Sequence, residues 1–169
     1  GAITRQQRKT HASTAEIILA NMLIESGIEV TPQKAIGTYN IDIAINRVPV
    51  AVEVSGGNWK ADRTEFMSKR FKYLLNNNWS IIHVWVDGLH HPLGIGARDK
   101  IISLVDIFSK HPLKLSTQYW VIFGDGEFAS ARKSYFNDAA FVEALVAPTM
   151  LPGATIKLPG NTQFTCAGG

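Results

Sequence analysis

A chain of 169 residues with 46% apolar residues, 18% charged residues and a net charge of +3 has the balance of an α/β domain built on one core. Its mildly basic charge permits a nucleic-acid partner without demanding one. The single cysteine, Cys166, excludes an internal disulfide framework and any zinc-type cysteine spacing, and no apolar run approaches the roughly 18 residues of a membrane span, so an intracellular, cytoplasmic setting without a membrane partner is expected.

In chain order, the basic residues Arg5, Arg8, Lys9 and His11 lead into Ser13-Thr14-Ala15-Glu16, where Ser13 and Glu16 have the spacing of a capping box. Ile17, Ile18, Leu19, Met22 and Leu23 then carry a helical apolar pattern that Gly27 ends. A first strand is expected over 28–36, with Pro32 at an edge or an end. The next stretch reads as a hairpin carrying two acids. Ile41, Ile43 and Ile45 alternate with Asp42, Ala44 and Asn46; Asn46-Arg47 forms the tip, and the β-branched run from Val48 to Val54 contains Glu53 and closes on Gly56-Gly57. Both carboxylates interrupt segments otherwise built for burial, and a buried carboxylate needs a compensating partner. A divalent cation is one such partner, because hard cations take oxygen ligands.

A second helix is expected over 62–75, with Met67, Phe71, Leu74 and Leu75 inward and Arg63 and Arg70 flanking that side. Asn76-Asn77-Asn78 stops it. Trp79 to Val86 is the most strand-like run in the chain, and the strand, helix, strand order predicts that it lies parallel to the Glu53 strand. A third amphipathic helix spans 97–110, with Ile101, Leu104, Val105 and Phe108 inward. Beyond Pro112 the pattern predicts a hairpin around Gly124-Asp125-Gly126, a short helix over 138–146 and an extended or partly disordered tail rich in Pro, Gly and Thr. The expected division is a core over 1–112 and a C-terminal extension over 113–169 packed on it.

Glu16 on a first helix, Asp42 on one strand, Glu53 on the next, a glycine turn and a basic helix, in that order, resemble the PD-(D/E)xK nuclease superfamily. Over Ser13 to Leu89, the stretches Ser-Thr-Ala-Glu, Ile-Asp-Ile, Gly-Gly-Asn-Trp-Lys, Asp-Arg-Thr-Glu-Phe and Trp-Ser-Ile-Ile-His-Val-Trp-Val-Asp-Gly-Leu are similar to very-short-patch repair endonucleases and to the catalytic domains of phage intron-encoded homing endonucleases. The resemblance implies a restriction-endonuclease-like fold with a mixed four-stranded core sheet between helices. It further implies a Mg²⁺-dependent endonuclease acting on double-stranded DNA, with Mn²⁺ able to substitute.

Under the same resemblance Asp42 is the main metal ligand, Glu53 and the Val54 carbonyl are further ligands, and Glu16 orients the metal's water shell. Two positions depart from the pattern. Ser55 stands where the superfamily has lysine and the repair enzymes have histidine. A second family histidine corresponds to Lys60, with its supporting aspartate at Met67. Lys60 is then the expected base, and His83 with Asp87 the alternative. Trp59 is the expected DNA wedge, and Arg63 and Arg70 are expected to contact phosphate. Two rival readings are a catalytically decayed DNA-binding module and a small-ligand α/β domain whose acids only cap and pair.

Overall fold

The computed structural model of the chain describes residues 13–56, 61–86, 90–110, 119–127, 155–158 and 162–165, the side chains of 61–68, 155–158 and 162–165 excepted. Helix α1 (Thr14–Glu25) starts where Ser13 accepts a hydrogen bond from the Glu16 amide at 3.1 Å. It ends at Gly27, whose φ of +87° lets the Gly27 and Ile28 amides turn back onto the carbonyls of Ile24 and Leu23.

Strands β1 (Thr31–Ile36), β2 (Tyr39–Ile45) and β3 (Val50–Gly56) form two successive antiparallel pairs. The β1–β2 turn needs Gly37, at φ +59°, and the Tyr73 hydroxyl lies where a Cβ would project. Helix α2 (Ala61–Asn76) ends on Asn78, a left-handed residue at φ +69°. Trp79 and Asn78 donate to the carbonyls of Leu74 and Leu75, so the asparagine run terminates the helix as expected. Strand β4 (Ser80–Val86) lies parallel to β3, with Glu53 opposite His83 and Ser55 opposite Trp85.

Helix α3 (Ile95–Ser109) then leads to β5 (Tyr119–Phe123), which pairs in parallel with β4. The sheet therefore has five strands in the order β1-β2-β3-β4-β5 rather than four. Tyr119 to Phe123, read above as the first arm of a C-terminal hairpin, also completes the main sheet, and the Phe123 amide donates to the Glu127 carbonyl across the expected turn at 2.7 Å. The physical reason is burial on both faces, which gives parallel strands a continuous apolar run with no alternation to separate them from a hairpin arm. The return strand and the helix expected after Glu127 lie outside the described residues. The tail, expected to be extended, contains an antiparallel pair, β6 (Thr155–Leu158) and β7 (Thr162–Thr165).

Alternation along the strands sorts side chains onto two faces. One face packs Ile43, Val52, Ile82, Val84 and Ile122 against Leu19 and Leu23 of α1 and Ile101 and Leu104 of α3. The opposite face therefore carries Asp42, Glu53 and His83. It meets α2, whose Phe71 ring lies 5.1 Å from His83 and 5.6 Å from Tyr119. Among the described residues no helix is long and apolar enough to cross a membrane.

Candidate active site

Six polar or charged residues among those described are buried: Gln33, Asn40, Asp42, Glu53, Arg70 and His83. They form one neighbourhood at the β1–β4 end of the sheet. The Asp42 amide donates to Glu53 Oε2 at 3.2 Å, and Asp42 Oδ2 accepts from the Val54 amide at 2.9 Å, so each acid is anchored by the neighbouring strand. Arg70, near the end of α2, reaches between them. Its Nη2 lies 2.9 and 3.0 Å from the two Glu53 carboxylate oxygens and 3.3 Å from Asp42 Oδ1, and it also donates to the Asn40 carbonyl.

Arg70 is therefore not the exposed phosphate contact that the resemblance implies. At 4% exposure it faces inward as the counter-ion of both acids. Burial alone would lower its pKa, but Glu53 and Asp42, with a smaller contribution from Glu16, raise it above its already high ordinary value. Glu53, 1% exposed, is pushed well above the usual carboxylate range by burial and then by the Asp42 charge, while Arg70 pulls the other way.

Glu16 joins the group through side chains that sequence reasoning missed. Its Oε2 accepts from Gln33 Nε2 at 3.2 Å, and the Gln33 carbonyl accepts from Asn40 Nδ2 at 2.9 Å. A polar path thus runs from Glu16 through Gln33 and Asn40 to Arg70 and the two strand acids. Gln33 Oε1 is buried and finds no hydrogen-bond partner among the described residues. Carboxylate oxygens on adjacent strands and an orphaned buried carbonyl oxygen are the donor type that a hydrated hard cation of the Mg²⁺ class takes, and in this structure Arg70 lies between the two acids.

Ser55, at the position of the expected lysine, is hydrogen-bonded to His83 Nε2 at 2.7 Å, and His83 Nδ1 meets the Tyr119 hydroxyl at 2.9 Å. His83 thus uses both ring nitrogens on Ser55 and Tyr119. Burial, aided by the Arg70 charge, lowers its pKa from 6.5 to about 3, and burial also raises Tyr119, so both stay neutral near pH 7. An imidazole so acidic is a weak base near neutrality but a firm support for the Ser55 hydroxyl.

The shift has a measurable consequence. Between pH 6.5 and 3 the unfolded chain binds a proton that folded His83 refuses, so this contribution to stability is present above about 6.5 and is lost as pH falls. Each pH unit in that window costs about 1.4 kcal/mol. Glu53, with its raised pKa, works in the opposite sense, so the informative quantity is the stability difference between wild type and His83→Gln. Urea titrations should show that difference shrinking by about 3 kcal/mol between pH 6.5 and 4; a constant difference would contradict the buried neutral state.

Other expected residues fall elsewhere. Trp59, Lys60 and Asp87 lie outside the described residues, and Arg63 belongs to α2 with its side chain not described. Trp85 is a core residue at 2% exposure. A second titratable group, His91, Asp125 and Glu127, brings one ligand atom from each within 4.8 Å. Its geometry is that of a loop clasp. His91 stacks on Phe123 at 3.9 Å and meets Asp125 Oδ2 at 2.6 Å, while Asp125 Oδ1 accepts from the Glu127 amide at 3.0 Å. Burial nudges Asp125 upward, but these bonds outweigh it and hold the carboxyl below its usual value. Comparison of the chain with protein-family models, curated proteins and solved structures finds no match.

Proposed function

We propose that this chain is a metal-dependent endonuclease that hydrolyses phosphodiester bonds of double-stranded DNA, as a catalytic domain of the homing or mismatch-repair type. The observation that carries this reading is the gathering of all six described buried polar residues around Asp42 and Glu53 on adjacent strands. An α-β-β-β-α-β order, with acids on the second and third strands and a third acid on the first helix, supports a restriction-endonuclease-like arrangement. A hard cation such as Mg²⁺ is usually held through one or two carboxylates and keeps several waters.

In this reading Asp42 is the principal ligand, with Glu53 and the Val54 carbonyl beside it, and Glu16 holds water at the edge of the site. A bound Mg²⁺ or Mn²⁺ would supply Lewis acidity toward the phosphate and a more acidic water. Arg70 offsets repulsion between the acids and keeps them close before any ion arrives. Ser55, fixed by His83, offers a hydroxyl at the position where the PD-(D/E)xK superfamily has lysine and the repair enzymes have histidine. Lys60 remains the proposed base, with Trp59 and Arg63 proposed to contact the duplex. The inward position of Arg70 removes one expected phosphate contact.

The reading is tested by incubating the protein with supercoiled plasmid in Mg²⁺ or Mn²⁺. Conversion to open-circular or linear DNA, stopped by EDTA, is the expected result. A second reading, a duplex-binding module without catalysis, is favoured by the compensation of both acids by Arg70 without a metal. Retention of DNA without cleavage in either metal would favour it, and absence of both would leave a small-ligand domain.

A further inference from the structure

Gln33 carries two local costs that its packing does not explain. Its φ is +52°, a left-handed conformation in the middle of β1, and its side chain is buried at 4% exposure with Oε1 lacking a partner among the described residues. Strained backbone and orphaned polar atoms persist where a site requires them. The register supplies the location: Pro32 pairs with Ile43 and Lys34 with Ile41, so Gln33 stands across the ladder from Asp42.

The orientation of the amide follows from chemistry. An ionised carboxylate only accepts hydrogen bonds, so Nε2 must face Glu16, as the 3.2 Å contact has it. Turning the amide over would set Oε1 against the carboxylate. Glu16 therefore fixes Gln33 with its carbonyl oxygen turned away from Glu16, and the Asn40 side chain holds the Gln33 backbone in place by donating to its carbonyl.

Resting on the reading of Asp42, Glu53 and Glu16 as a divalent-cation site, we propose that Gln33 is a positioning residue of that site. Its amide nitrogen orients Glu16, and its free Oε1 accepts a hydrogen bond from the hydrated cation. The left-handed backbone is the conformation that lets one side chain serve both purposes.

The test is calorimetric titration of Mn²⁺ into the DNA-free protein, with thermal unfolding of the metal-free form. Wild type, Gln33→Leu, Gln33→Glu and Asp42→Asn are compared. Gln33→Leu should weaken Mn²⁺ binding about tenfold or more while its metal-free melting temperature is kept or raised, because an unsatisfied oxygen is removed. Gln33→Glu should melt lower without metal, since two carboxylates then face each other, and should bind Mn²⁺ more tightly than wild type. If Gln33→Leu does not fold, Gln33→Glu decides, and unchanged or weaker binding there overturns the proposal. Loss of binding in Asp42→Asn with wild-type affinity in both Gln33 variants overturns the role of Gln33 and leaves the cation site standing. No Mn²⁺ binding by wild type overturns both.

Discussion

Replacing Arg70 by methionine should destabilise the metal-free protein by about 3–5 kcal/mol at neutral pH, the usual cost of leaving a buried charge without its partner. For a chain of this size that corresponds to a fall in melting temperature of roughly 10 °C. The size of the effect comes from geometry: one guanidinium nitrogen touches both acids, each of them buried. Because Glu53 already takes its proton well above the usual range, the variant should recover stability as pH is lowered toward that range. Adding Glu53→Gln to Arg70→Met should also restore much of the loss. Urea or thermal unfolding measures all three proteins, and a loss below about 1 kcal/mol, typical of exposed ion pairs, would show that the acids do not depend on Arg70.

The second large effect is on activity. Asp42→Asn should lower the rate of plasmid cleavage in Mg²⁺ at least about 100-fold, equivalent to about 2.7 kcal/mol of barrier lowering. The fold should survive. An asparagine oxygen can keep the bond to the Val54 amide that Asp42 Oδ2 makes at 2.9 Å, and Glu53 remains to pair with Arg70. Single-turnover cleavage together with the melting temperature separates the two roles of the residue. Cleavage retained within a few-fold of wild type would remove Asp42 from the chemistry.

The Asp42–Glu53 hairpin was legible in sequence because alternating aliphatic residues define a strand and carboxylates stand out against them. The caps at Ser13, Gly27 and Asn78 were legible for a related reason, since helix ends need local partners and those residue types supply them. Long-range geometry was not. Arg70 visibly flanked the apolar side of its helix, but nothing local says that this flank meets two acids contributed by different strands. Gln33 was silent because a left-handed backbone in a strand leaves no compositional trace when the residue is not glycine. Ser55 and His83 lie 28 positions apart, and only the parallel register of β3 and β4 brings them within a hydrogen bond. Tyr119 to Phe123 read as a strand, but its place beside β4 was not legible, since a run buried on both faces does not announce its partner.

Asp42 and its neighbours are proposed to hold a divalent cation. Crystals soaked in Mn²⁺ and measured at a wavelength where manganese scatters anomalously test it most directly. An anomalous peak within coordination distance of Asp42, with Glu53 or the Val54 carbonyl beside it, is the expected result. An absence of manganese there at saturating concentration, with Arg70 still spanning both carboxylates, would contradict it.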